Sequence, residues 1–266
     1  MSLAEPFDRI GCTGHVHAVT LDGVREVALR ADEEVPPASL IKVLVALTVE
    51  RMVAEGTVDG QHRLRLDAAE RTPGPVGLSL FEDPAEISVR DAVTLMLTIS
   101  DNVATDALIG LVGVETVDAL AAELGLARTR LGCDLRRLVE LGPDEAPMRT
   151  TARDMTSLLR GVWADRASPP AACARLRWQL RRQLTRDRLA AAFGPEVEVS
   201  AKSGGLMGLV RHEVGVVAFP DGASYAVAVL TRAAVPLDPR AVNAAIAEAA
   251  SAAVSELRQG SLVDGS

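Results

Sequence analysis

Apolar and polar positions alternate with a period of two at both ends of the chain. The segment "HVHAVTLDGVREVALR" alternates in this way and is interrupted at Asp22 and Gly23, which is the pattern of a β-hairpin with a tight turn. Three later segments, "EVEVSAKSG", "VRHEVGVVAF" and "ASYAVAVLT", also read as strands, and an alanine-rich helix follows Pro239. Sheet elements are therefore predicted at both ends of the chain.

The middle of the chain follows a helical period instead. An apolar run from Ser39 to about Glu55 ends at Gly56 and predicts a helix. Loops rich in proline and glycine, such as "RTPGPVG" and "LGPDEAP", separate further predicted helices over 88–98, 101–112, 114–124, 151–163 and 172–192. The last of these contains "ARLRWQLRRQLTRDRL", which we interpret as an amphipathic helix with a solvated basic face rather than a site for an anionic partner.

This order of elements predicts an α+β protein, in which an antiparallel sheet flanked by helices has an adjoining all-helical lobe. Residues 1–266 are expected to form a single domain. Its α/β lobe comprises about 1–36 and 193–266, and its helical lobe comprises about 37–192.

The composition excludes several classes of protein. Hydrophobic residues make up 48% of the chain and charged residues 24%, as in a soluble globular protein rather than a disordered one. A net charge of −8 and only seven aromatic residues argue against a nucleic-acid partner. No uncharged run approaches the roughly 18 residues of a bilayer span, so no membrane partner is expected. The N-terminal "MSLAEPFDRI" lacks the basic-then-apolar order of a signal peptide, which predicts a cytoplasmic location.

Cysteine and histidine spacing does not indicate a metal site or a disulfide framework. Cys12, Cys133 and Cys173 are scattered and odd in number, and they are interpreted as reduced thiols. His15 and His17 lie two residues apart and share one face of the first predicted strand. We expect this face to be turned towards solvent rather than to bind a metal, since no third ligand candidate lies nearby in the sequence to complete a metal site.

One lysine stands in an otherwise uncharged run, "VPPASLIKVLVALTV". Lys42 follows Ser39 by three residues, so the two side chains can share a helix face. Burial disfavours the charged form of lysine and lowers its pKa, and a neutral amine can accept the proton of a serine hydroxyl. The alternative is structural, with Ser39 capping the helix and Lys42 extending to solvent.

Two further motifs favour the catalytic interpretation. "SDN" begins at Ser100 and "KSG" begins at Lys202. The motifs SxxK, SDN and K[TS]G, in this order and at similar intervals, occur in class A β-lactamases and the related penicillin-binding proteins, which this chain resembles over nearly its whole length. The approach "LRADEEVPPASLIK" is also similar to the segment before the nucleophile in that family.

The resemblance implies a role in the reaction for four side chains. Ser39 would be the acylated nucleophile and Lys42 its adjacent base. Ser100 would relay a proton to the leaving nitrogen, and Lys202 would supply positive charge near Ser100.

The resemblance also implies how substrate is bound. Asn102 would hold the substrate amide, while Ser203 and Arg211 would bind its carboxylate. The backbone N–H groups of Ser39 and Gly205 would form the oxyanion hole.

One element of class A enzymes has no counterpart in this sequence. Those enzymes have an ExxLN loop whose glutamate activates the deacylating water, whereas the corresponding stretch here is "CDLRRLVELGPDEAPMRTTARDM". Counting back a family-like interval from Met155 reaches Leu135. The carboxylates of Glu140, Asp144 and Glu145 are close in sequence, but we interpret them as surface loop residues. Acylation is therefore better supported than deacylation.

The sequence thus predicts a serine hydrolase that forms an acyl-enzyme at Ser39 and opens a β-lactam or a related amide, with slow deacylation. The resemblance implies neither a metal nor an organic cofactor. Two alternatives use the same serine: a peptidase or esterase of the penicillin-binding-protein kind, and a sensor or binding module that is acylated once without turnover.

Overall fold

Two antiparallel sheets contain the seven strands of residues 2–142 and 145–263, the part of the chain that the computed structural model describes. The strands are β1 (Thr13–Thr20), β2 (Glu26–Leu29), β3 (Arg63–Leu66), β4 (Ala85–Ser88), β5 (Glu198–Leu206), β6 (Val210–Ala218) and β7 (Ser224–Arg232). Five of them form the main sheet in the order β2-β1-β7-β6-β5, and β3 pairs with β4. The two strands of the predicted hairpin and the three strands predicted later in the chain are the five strands of the main sheet, with β5 at one edge.

The helices occupy the middle and the two ends of the chain. They are α1 (Glu5–Asp8), α2 (Lys42–Ala54), α3 (Val89–Thr98), α4 (Asn102–Val112), α5 (Val114–Glu123), α6 (Leu135–Leu141), α7 (Ala152–Trp163), α8 (Pro170–Leu180) and α9 (Pro239–Val263). Short 3-10 turns lie over Ala38–Ile41, Ala68–Glu70, Gly77–Leu80 and Leu189–Ala192. This architecture confirms the predicted α+β class, an antiparallel sheet flanked by helices.

Two apolar cores lie on opposite faces of the main sheet. One face packs against α9, where Ile246 is fully buried with Val229 of β7 and Phe7 of α1. The other face packs against α7 and the remaining helices, and this larger core includes Leu44 of α2 and Leu230 of β7. Burial of these side chains is the main favourable contribution to folding. Helix α2 lies inside the larger core, which is why its sequence is apolar on nearly every side.

The arginine-rich segment is helical over only part of the predicted range 172–192. Helix α8 ends at Leu180, and the chain then follows the outer edge of β5. Gln183 accepts a hydrogen bond from the Ser203 N–H, and Arg186 Nη1 donates to the Val199 carbonyl at 2.8 Å. An edge strand has backbone groups without strand partners, and these side chains satisfy them, so a tertiary contact overrides the helical pattern. The interpretation as a uniformly solvated basic face is also wrong, because Arg188 is buried.

The two histidines of β1 do not face solvent as expected. His15 and His17 are both buried. His17 Nδ1 lies 2.5 Å from Thr156 Oγ1 of α7, and its Nε2 lies 3.1 Å from Glu26 Oε2 of β2. The expectation was wrong because α7 covers this face of the strand. Burial lowers the pKa of both histidines.

Three further observations bear on the sequence-based expectations. In the described ranges, Cys12, Cys133 and Cys173 are free thiols. No helix among the described residues combines the length and apolar character that a bilayer span needs. The same residues contain no cluster of three histidine, cysteine or acidic side chains that could hold a metal ion.

Candidate active site

Ser39 lies in the 3-10 turn immediately before α2, where β5 passes close to the backbone. The residue before it, Ala38, has a positive φ of 47°, a strained conformation of the kind found at functional sites. Gly204 of β5 approaches so closely that a Cβ atom there would lie 3.2 Å from the Ser39 nitrogen. The glycine of the KSG motif therefore allows the strand to approach the serine. Ser39 is half-buried and makes no capping hydrogen bond, which removes the capping interpretation.

Lys42 is fully buried at the first position of α2. Its Nζ donates hydrogen bonds to the Ser100 carbonyl at 2.7 Å, to Ser100 Oγ at 3.2 Å and to Asn102 Oδ1 at 2.8 Å. The alternative in which it extends to solvent is wrong, since its exposed fraction is 0%. Among the described residues, the hydrogen bonds of Lys42 join it to the SDN motif and none joins it to Ser39. Burial lowers the pKa of Lys42 to about 7, although the charges of Asp101 and Asp106 oppose that shift.

A tight turn with a fully buried carboxylate presents Ser100 to Lys42. Ser100 has a positive φ of 65°, so its backbone is held in the left-handed region. Asp101 is fully buried, and one of its oxygens caps α4 by accepting from the Ala104 N–H at 2.9 Å. Its other oxygen accepts from the Leu78 N–H at 2.7 Å. The middle residue of SDN therefore fixes the turn, while its two neighbours face Lys42.

Asn102 joins α2 to the loop "RTPGPVG". Its Oδ1 accepts from Lys42, and its Nδ2 donates to the Pro73 carbonyl at 2.8 Å. A Cβ atom at Gly74 would lie 3.2 Å from the same nitrogen, so this loop lies directly against the amide. The proline- and glycine-rich loop predicted from the sequence thus borders the site.

Lys202 is the second buried cation of the site. Its exposed fraction is 1%, and its Nζ donates to the Ser203 carbonyl at 2.8 Å. Burial and the positive charge of Lys42 push the pKa of Lys202 well below its ordinary value, whereas Glu213 opposes that shift. The two lysines are therefore close enough to influence each other's protonation.

Gly205 and Arg211 lie on the strands next to the serine turn. They are directly opposite each other in the pairing of β5 with β6. Gly205 is exposed on the edge strand, so its backbone is accessible to a ligand. The Arg211 Nε donates to Asn243 Oδ1 of α9 at 3.0 Å, which anchors the half-buried guanidinium at this end of the sheet.

The stretch that replaces the ExxLN loop forms α6 and the chain after it. Glu140 of α6 is exposed and pairs with Arg137 at 2.9 Å, and Glu145 is also exposed. Asp144 lies outside the described residues. Leu135 is buried, and its N–H donates to Asp106 Oδ1 at 2.8 Å. The position reached by counting back from Met155 therefore holds an apolar side chain.

The composition of the chain also singles out the two cations of the site. The chain has 26 arginines but only two lysines, and both lysines lie in this site. Arginine stays protonated in proteins, whereas a buried lysine can lose its proton, so only lysine can serve as a base. The use of arginine at the other basic positions would have indicated Lys42 and Lys202 without any motif.

The main antiparallel sheet with helices on both faces defines a fold of the β-lactamase type. The turn that holds Ser39 lies at the edge strand β5, and the buried Lys42 contacts Ser100. The chain matches the model of the Beta-lactamase enzyme family over residues 3–257, and it belongs to that family.

Similar proteins include both regulators and enzymes. The β-lactamase regulatory protein BlaB of Streptomyces cacaoi is 33% identical over 272 aligned positions, which cover 86% of this chain and 87% of that protein. A β-lactamase from Sphaerobacter thermophilus is 28% identical, with a TM-score of 0.86 over 96% of this chain and 94% of that one. PBP-A is 25% identical, with a TM-score of 0.85 over 97% and 94% of the two chains. A variant of PBP-A has been solved as an acyl-enzyme with penicillin G.

Proposed function

We propose that this protein is a serine hydrolase whose Ser39 is acylated by a β-lactam. The observation that carries the proposal is the buried Lys42 amine, three residues after Ser39, which donates to both Ser100 and Asn102 of the SDN motif. A desolvated amine with a pKa of about 7 can be neutral at physiological pH and so can accept a proton. Catalytic hydrogen bonds often shorten only when substrate is bound, which is consistent with the absence of a Ser39–Lys42 bond among the described residues.

The proposed reaction requires no group beyond these side chains. Ser39 Oγ attacks the carbonyl carbon of the ring while its proton passes to the neutral amine of Lys42. The ring C–N bond then breaks, and the nitrogen takes a proton from the Ser100 hydroxyl. Lys42 returns its extra proton to Ser100 across the 3.2 Å contact between Nζ and Oγ. The products are an ester at Ser39, a protonated ring nitrogen and a neutral Lys42.

The surrounding groups would bind and polarise the substrate. Backbone N–H groups at Ser39 and at the exposed Gly205 would stabilise the oxyanion. Ser203, Lys202 and Arg211 would bind a substrate carboxylate, while Asn102 would contact the amide side chain of the substrate.

The acylation rate should depend on pH through Lys42. Because its neutral form is the base, the second-order rate constant should rise about tenfold per pH unit below pH 7 and level off above about pH 8. Stopped-flow acylation with a chromogenic β-lactam between pH 5 and 9 measures this profile. A rate that is flat across this range would contradict the assignment of Lys42 as the base.

Deacylation should not depend on the exposed carboxylates of the α6 region. Glu140→Gln and Glu145→Gln should each leave steady-state turnover within about twofold of wild type, because surface substitutions without buried partners have small effects. Turnover of a chromogenic β-lactam by the purified variants tests this expectation. A hundredfold loss in either variant would identify that residue as the group that activates water.

A second function, a regulator acylated once, is favoured by one observation. The relative BlaB is a β-lactamase regulatory protein. In support, the position reached by counting back from Met155 holds the buried Leu135 rather than a glutamate. Intact mass spectrometry beside a turnover assay separates the two functions. A persistent one-to-one adduct without turnover supports the regulator, and rapid loss of the adduct supports the β-lactamase. A panel of D-Ala-D-Ala peptides and simple esters tests the peptidase or esterase alternative.

A further inference from the structure

A buried carboxylate lies behind the KSG motif. Glu213 of β6 is directly opposite Ser203 of β5, and its exposed fraction is 1%. A carboxylate in such a place is costly unless charges and hydrogen bonds compensate for its lost hydration. The groups that contact Glu213 therefore indicate its role.

Gln183 links this carboxylate to the backbone of the motif. The Gln183 Oε1 accepts from the Ser203 N–H, while its Nε2 donates to Glu213 Oε1 at 2.7 Å. The Ser203 N–H can only donate, so the amide oxygen must face it, and the amide nitrogen must then face Glu213. The other oxygen, Glu213 Oε2, accepts from the Leu189 N–H at 2.5 Å. Both carboxylate oxygens thus accept hydrogen bonds, which favours the ionised form.

The negative charge of Glu213 also acts on Lys202, although the described side chains form no direct ion pair between these two residues. Among the charged groups that act on Lys202, Lys42 and Arg188 are cations and disfavour its protonation, whereas Glu213 favours it. In turn, the charges of Lys202 and Arg188 oppose the rise that burial causes in the pKa of Glu213. A lysine this deeply buried can act as a cation only if an anion is placed near it.

We propose that Gln183 and Glu213 are positioning residues for substrate binding, in which Glu213 provides the counter-charge of Lys202 and Gln183 holds the Ser203 backbone in register. This inference rests on the proposed function, in which Lys202 and Ser203 bind a substrate carboxylate. The pair acts through those two residues and does not touch the substrate. Its loss should therefore weaken binding of anionic substrates more than it slows the chemistry at Ser39.

A charge-swapped pair provides the sharpest test. Glu213→Gln removes the charge and leaves the Leu189 N–H and Gln183 amide competing for one oxygen. In the double variant Gln183→Glu/Glu213→Gln, a carboxylate at 183 accepts from the Ser203 N–H and from the amide at 213, whose oxygen accepts from the Leu189 N–H. Only the Thr185 carbonyl, which Gln183 Nε2 reaches at 2.9 Å, loses its donor. The swap thus restores the negative charge and most of the hydrogen bonds.

The kinetic experiment compares benzylpenicillin with its methyl ester, which lacks the carboxylate charge. Glu213→Gln should lower the second-order acylation rate constant for benzylpenicillin at least about tenfold, since it removes the negative charge that favours protonation of the buried Lys202. The effect should fall mainly on the binding constant rather than on the limiting rate. The acylation rate constant for the ester should change little. The double variant should recover the preference for the acid, which is the ratio of the rate constant for benzylpenicillin to that for its methyl ester.

A matched control lies on the preceding helix. Gln179 of α8 donates to the buried Glu50 of α2 at 2.8 Å, which is the same glutamine–glutamate contact outside the KSG motif. Glu50→Gln should leave the preference for the acid over its ester unchanged. If it reduces that preference as much as Glu213→Gln does, a general loss of packing explains both variants and the proposal is wrong.

A second measurement tests the roles of Gln183 and Glu213 even if no β-lactam reacts with the protein. Because the chain has only two lysines, NMR of protein labelled at lysine shows one side-chain signal from each. Glu213→Gln should move the titration of Lys202 to lower pH, and the swap should move it back. An unchanged titration, or a folded swap variant that fails to restore it, would overturn the proposal. Wild-type protein that neither probe acylates would instead refute the proposed function.

Discussion

Replacing the nucleophile, Ser39→Ala, should abolish covalent reaction with β-lactams. The hydroxyl is the only atom of that side chain that can form an ester, so no amount of binding energy from the rest of the site can replace it. Intact mass spectrometry after incubation with benzylpenicillin should show wild-type protein heavier by one ligand and the variant unchanged. Because Ser39 is half-buried and makes no capping bond, we expect the free energy of unfolding of the variant to lie within about 1 kcal/mol of the wild-type value.

A control distinguishes loss of the nucleophile from a general effect of removing a hydroxyl. Ser157 lies on an exposed position of α7, and Ser157→Ala should be acylated like wild type. An adduct of equal yield on the Ser39→Ala variant would mean that another residue is the nucleophile. Peptide mapping of that adduct would then locate it.

Removing the buried amine, Lys42→Met, should slow acylation by about 10²- to 10⁴-fold, the usual contribution of a positioned general base. Methionine has a similar length and no charge, so it fills the position in α2 without a new clash. Single-turnover acylation measured with enzyme in excess separates this loss from any effect on deacylation. A variant that is acylated at the wild-type rate would show that Lys42 is not the base.

Lys42→Met should also change how the stability of the protein depends on pH. The pKa of Lys42 falls from 10.5 to about 7 on folding, so between these pH values the unfolded chain holds a proton that the folded protein has released. Stability therefore rises with pH across this window, and wild type should gain about 2 kcal/mol relative to Lys42→Met between pH 7 and pH 9. Urea unfolding of both proteins at several pH values measures the difference. A difference that does not change with pH would mean that Lys42 keeps an ordinary pKa in the folded protein.

Much of the fold was predictable because it rests on local patterns. The five strands of the main sheet, namely the β1–β2 hairpin and β5–β7, were all predicted from their alternation. The small β3–β4 sheet was not predicted, because each of its strands has only four residues and so short an alternation is hard to distinguish from chance. The short helices α1 and α6 were missed for a similar reason, because one or two turns give little periodicity to detect.

By itself, the sequence determined the residues that could carry the chemistry: Ser39 and Lys42 three apart in an apolar helix, Ser100 and Asn102 in one motif, and Lys202 and Ser203 in another. Spacing along the chain cannot show where a side chain points. Only the tertiary structure decided that Lys42 donates to the SDN motif, that α7 covers His17, and that Gln183 leaves a predicted helix to reach Ser203. These outcomes depend on which buried groups need partners, and those partners come from segments distant in sequence.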